Sequence, residues 1–172
     1  KRKRSDLADH HGFWEGSDVE MTSAEESFRC LFAEVLLLPE DAQDWLMSFW
    51  QVMQVFDDVA DGDEVPRKEL DRCIWNTMVA MPLNRFYSIN SALLIPVMVN
   101  LFLKWQASDQ AERAGRATEM SYAWRAGFYD LILFVTHVCH GIEFATQNAE
   151  KVMKFYGETF EDYRKEFLCQ TQ

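Results

Sequence analysis

The sequence predicts an all-α fold, an irregular bundle of six or seven helices. Three observations carry this. Apolar residues recur at spacings of three and four through five segments, and no stretch shows the alternation of a half-buried strand. Seven glycines and four prolines in 172 residues are few for a protein of many strands and turns. The breakers Pro39, Gly62, Pro66, Gly141 and Gly157 fall between the periodic segments rather than inside them.

Composition sets the outer limits. Hydrophobic residues at 48% and charged residues at 26% describe a globular chain, long enough for one domain and too short for two. A poorly ordered arm is expected over residues 1–21, where Phe13-Trp14 is the lone aromatic pair, and a single helical domain over 22–172. The net charge of −11 repels phosphate backbones and anionic membranes, which argues against a nucleic-acid partner. The longest apolar run, residues 92–103, is broken by Pro96 and Asn100 and is shorter than a bilayer span, so no membrane partner is expected. Lys1-Arg2-Lys3-Arg4 reads as a short solvated tail. No apolar core follows it, so no signal peptide is expected and the expected location is cytoplasmic: host cytoplasm or virion for a phage protein. Cys30, Cys73, Cys139 and Cys169 are widely spaced among apolar neighbours and form no CxxC pair, as buried free thiols do.

Taken in order, the first helix starts at Thr22 or Ser23, with Glu25 or Glu26 completing a capping box. Phe28, Leu31, Phe32, Val35 and Leu36 form its stripe. A second helix spans 39–61, with Glu40 and Asp41 at the positive end of its dipole. It is apolar nearly all round, through Trp45, Leu46, Phe49, Trp50, Val52, Met53, Val55 and Phe56, which marks a helix central in its bundle or covered by a partner. Gly62 stops it and Pro66 restarts a third helix carrying Leu70, Cys73, Ile74, Thr77 and Met78. Residues 81–87 read as a turn, 90–106 as a helix kinked at Pro96, and 108–118 as a polar connection. A fifth helix spans 120–140, an amphipathic segment runs from Gly141 to Tyr156, and a short aromatic helix covers 160–168.

Two constellations carry potential chemistry. The second helix ends in Asp57, Asp58 and Asp61, where carboxylates oppose the negative end of the helix dipole. Such a placement calls for a compensating cation, a basic neighbour or a function. The i, i+4 carboxylates share a face and suit a hard cation, Mg or Mn, beside a phosphorylated substrate. A calcium loop fails, because Val59 occupies a ligand position and Lys68 stands where the closing glutamate belongs. The plain reading is a solvated acidic helix end. On the fifth helix, Asp130 and His137 lie two turns apart on one line, with His140 a turn further. These could ligate a metal, or be core groups with Asp130 bonded to an arginine such as Arg125. If the acidic end met His137 and His140, a mixed site would favour Mn, Fe or Zn.

The spelling Asp57-Asp58-x-x-Asp61 resembles the aspartate-rich motif of class I isoprenoid synthases, which are all-α and bind Mg-diphosphate; the likeness covers those residues alone. Residues Ile74-Trp75-Asn76, Met81-Pro82-Leu83-Asn84-Arg85-Phe86-Tyr87, Leu93-Leu94-Ile95-Pro96-Val97 and Lys104-Trp105 resemble small helical proteins encoded by tailed phages and prophages. That likeness implies a viral setting and no chemistry. With no complete catalytic motif and an excess of large apolar residues, the expected function is a non-enzymatic acidic interaction protein, binding a protein partner or forming a homo-oligomer. Trp45, Phe49 or Trp50 are the expected contacts. The alternative is a metal-dependent hydrolase or lyase using Asp57, Asp58 and Asp61, assisted by His137 or His140.

Overall fold

In the computed structural model, which describes residues 23–168, every element is helical, as the periodicity predicts. The arm at 1–21, a cap at Thr22 and Cys169 lie outside the described residues. Helix α1 (Ser23–Cys30) widens into a π turn (Leu31–Val35) that buries Phe28, Leu31 and Phe32. The chain then passes through Leu37 in the left-handed region (φ 51°) before entering α2 (Glu40–Asp61).

The apolar stripe of α2 buries Trp45, Leu46, Met47, Phe49, Val52 and Val55. That makes it the central helix the sequence implied. Gly62 (φ 85°) ends it with Asp63 N–H on Asp58 O at 2.9 Å, a six-to-one closure that needs the left-handed residue between. Trp45 stacks on Tyr87 with ring centroids 5.5 Å apart, so the tryptophan expected at an interface is core. Phe49 is buried too, and Trp50 half-buried.

Helix α3 (Arg67–Trp75) continues through a π turn (Asn76–Ala80) into α4 (Met81–Leu83). The expected turn over 81–87 therefore shrinks to Asn84. The wider turn admits Pro82, whose ring would clash with the preceding turn of a regular helix. Asn84 accepts from Tyr87 N–H at 3.1 Å and donates to Asp41 O at 2.8 Å, so it caps α5 and pins it to the start of α2.

Helix α5 (Arg85–Arg113) is longer at both ends than periodicity suggests. Its C-terminal extra turns persist because Ser108, fully buried, lies 2.8 Å from Ser121 O and 2.7 Å from Glu112 Oε1. Tyr163 of α9 (Phe160–Leu168) closes this knot by donating to Glu112 at 2.9 Å. The expected fifth helix is two: α6 (Glu119–Arg125), opened by a Thr118/Ser121 capping box, and α7 (Gly127–His140). α8 (Ile142–Lys154) follows Gly141. α7 buries Leu131, Ile132, Val135 and Thr136, which makes it the second core helix the sequence expected.

The break between α6 and α7 lets α7 approach α5 closely. A Cβ built on Gly127 would stand 3.0 Å from Leu101 Cγ and 3.6 Å from its Cα. Gly127→Ala is therefore expected to destabilise the fold by about 1–3 kcal/mol through overpacking. Urea denaturation measures it, and an unchanged midpoint would show the crossing to be loose.

Candidate functional site

The acidic end of α2 is held by a basic group. Asp57 accepts from Trp105 Nε1 at 2.8 Å, and its second oxygen lies 3.8 Å from Arg125 Nη2. The other guanidinium nitrogen stands 3.8 Å from Glu112 Oε1, and the guanidinium carbon lies 5.7 Å from the centre of the Tyr163 ring. The Arg125 side chain is 22% exposed. Burial pushes its pKa down, but the carboxylates of Glu112, Asp57 and Glu158 outweigh that and hold it above the usual arginine value. Asp57 thus joins a junction of α2, α5 and α6.

Among the described residues, Asp58 and Asp61 form no such ion pair. Burial, then repulsion from Asp63, Asp57 and Glu69, raises the Asp58 pKa. Burial and Asp57 raise that of Asp61, against a lowering by Arg125. Among the described residues, no three His, Cys, Asp or Glu side chains stand close enough to share a metal ion.

His137 and His140 do not meet the aspartates. His140 Nε2 lies 3.0 Å from Leu37 O, just ahead of α2, while Asp57 sits near the other end of that helix. At 1.5 Å per residue, roughly 30 Å of α2 separates them. His137 is exposed, and with Asp130 it lines a shallow groove beside α8. Asp130 pairs with Lys104 Nζ at 2.5 Å rather than with Arg125, which is engaged at the other junction. The mixed carboxylate–imidazole site is not assembled in this fold.

The cysteines also differ from expectation in one case. Cys73 is buried and Cys139 half-buried, but Cys30 is exposed and its thiol lies 3.5 Å from Glu34. That contact raises the Cys30 pKa, and burial raises Cys73 and pushes Cys139 up to about 11. None of these three is poised as a thiolate nucleophile at neutral pH.

The outer side of α5 is an apolar surface. No charged residue lies between Arg85 and Lys104. The inner face of this stretch packs through Phe86, Leu94 and Leu101. Its outer face exposes Ile89 (68%), Leu93 (54%), Val99 (53%) and Leu103 (57%), flanked by Ile95 and Phe102. Leu83, Met78, Ile74 and Trp75 extend the exposed apolar surface along α3 and α4. By length and composition α5 could cross a membrane, and 17% of its apolar window is buried. The apolar run read as residues 92–103 is thus part of a longer element, because Ser88, Asn90 and Ser91 do not interrupt a helix.

Comparison with protein-family models, with curated proteins and with solved structures returned no match.

Sequence reasoning found the aspartates and missed their partners. Arg125, Trp105 and Lys104 are separated from them by 26 to 68 positions, and no local pattern links such residues. Lys104, a single charge closing a long uncharged stretch, was the one available signal.

The two kinds of aspartate respond oppositely to neutralisation. Asp57→Asn weakens the Arg125 pair and is expected to cost about 1–2 kcal/mol. Asp61→Asn is expected to raise the melting temperature at pH 7. Its folded-state pKa is raised, so ionisation there costs stability, and that cost disappears as pH falls through the raised value towards the unfolded one. The gain from Asp61→Asn should therefore shrink on acidification through the carboxylate range. Thermal melts of both variants across that range check the signs.

Proposed function

We propose that this chain is a non-enzymatic interaction protein that self-associates through the outer face of α5, and that it is encoded by a tailed phage or prophage. The observation carrying self-association is the row of half-exposed or more exposed apolar side chains at Ile89, Leu93, Val99 and Leu103, on a helix whose inner face is already packed. Contiguous apolar surface of this kind marks an interface. The phage setting rests on the resemblance of residues around Ile74-Trp75-Asn76 and Leu93-Leu94-Ile95, which lie on or beside this face.

A second copy fits better than other occupants. Ile89 and Leu103 are each seven residues from Pro96, so an antiparallel pairing with its two-fold axis near Pro96 sets Ile89 of one copy over Leu103 of the other. The same pairing sets the positive end of each α5 dipole beside the negative end of its mate. A bilayer suits this helix less. Its inner face leads to Lys104–Asp130 and Trp105–Asp57 contacts and to neighbouring helices with charged outer faces.

The wild-type chain is expected to be dimeric by light scattering at tens of micromolar. Val99→Lys should shift it to monomer with little change in stability, because the site is solvent-facing in the single chain. A wild-type monomer at that concentration would overturn self-association, as would capture of the chain by neutral lipid vesicles in preference to pairing. A melting temperature raised several degrees by Mg2+ or Mn2+, and insensitive to either in Asp57→Asn, would instead favour the metal-dependent enzyme.

A further inference from the structure

Away from the α5 face, a partly enclosed cavity of about 230 Å3 opens at the junction of α2, α5 and α7, reaching the loop after α8. We propose that this cavity binds a small organic ammonium ion, of the trimethylammonium type, between its tryptophan walls.

The lining argues for that chemistry step by step. Trp50, Trp105 and Trp124 contribute indoles, and Tyr129 and Tyr156 add two phenol rings. The polar tips of several of these rings are already bonded. Trp105 Nε1 donates to Asp57 at 2.8 Å, and the Tyr156 hydroxyl donates to Glu158 at 2.8 Å. Tyr129 hydroxyl reaches Phe155 O at 3.5 Å. Beside the Arg125 guanidinium, these bonded rings present ring surface rather than free donors, and the negative π face of a ring attracts a cation.

Charge points the same way. Asp57 and Glu158 line the cavity against one guanidinium, Arg125. Arg125 is flanked by Asp57 and Glu112, and Asp61 adds further negative charge nearby. The potential that remains favours a cation over an anion. Volume limits the ligand, since the cavity falls below the roughly 300 Å3 at which drug-sized pockets begin. A compact ammonium head fits where a nucleotide or peptide does not.

The test uses the full chain and intrinsic tryptophan fluorescence, with choline as probe and 3,3-dimethylbutan-1-ol as its uncharged analogue of matching shape. Choline is expected to produce a saturable change, with the neutral analogue at least about tenfold weaker. Glu158→Gln keeps an acceptor for Tyr156 while removing charge, and should weaken choline about tenfold or more without altering the far-UV spectrum. Equal binding of the two probes would overturn charge recognition, and no saturable response to choline would overturn the site. Phosphatidylcholine vesicles separate the sources of the headgroup. The chain should stay in solution, whereas capture by vesicles that choline reverses would assign the headgroup to a lipid rather than a free ligand.

Discussion

Arg125 is the residue on which the arrangement of the helices most depends. It sits at the end of α6, where the chain turns into α7, and faces Asp57 on α2 and Glu112 on α5. A guanidinium taken largely out of water costs several kcal/mol unless carboxylates surround it, and here they come from two different helices. The pairing therefore specifies how three helices meet, in a way that apolar packing, which tolerates rotation and sliding, does not. It also answers the conflict at the end of α2. Carboxylates beside the negative pole of a helix are tolerable when one of them is matched by an arginine brought from elsewhere.

The close crossing of α5 and α7 is the second constraint. α6 ends at Arg125 and α7 begins on Gly127, which puts no side chain between its backbone and Leu101. The same crossing shapes the aromatic cavity, which Gly127, Leu101 and Arg125 all line. At the opposite end, His140 against Leu37 O and Asn84 against Asp41 O tie α7 and α5 to the start of α2. Polar contacts thus mark both ends of the central helix, and the aromatic core fills its middle.

α2 and α5 show why apolar content and burial are different quantities. Both read as apolar on most sides. α2 is surrounded by neighbours and buries Trp45 and Phe49, with Trp50 half-buried and Phe56 exposed near its end, whereas α5 lies at the edge and leaves its outer face uncovered. Trp45 and Phe49, expected at an interface, are core, and the interface-like surface is on α5, a helix longer than its apolar periodicity implies. Periodicity measures how apolar a helix is around its axis. It carries nothing about how many neighbours the topology supplies.

The sequence by itself determined the helical class, the stop at Gly62, the restart at Pro66 and the final helix at Phe160–Leu168. Each of these follows from interactions within a few residues: 3.6-residue periodicity, a left-handed glycine cap, a proline without an amide proton. It also singled out Asp57 as anomalous, because the conflict with the helix dipole is local. Only the tertiary structure decided what resolves that conflict, since Trp105 and Arg125 lie 48 and 68 positions away. It alone separated His137 and His140 from the aspartates, extended α5 through the Ser108–Glu112–Tyr163 knot, and split the fifth helix at Ala126. Those outcomes depend on which helices become neighbours, and that is set by packing across the whole bundle rather than by any short stretch of chain.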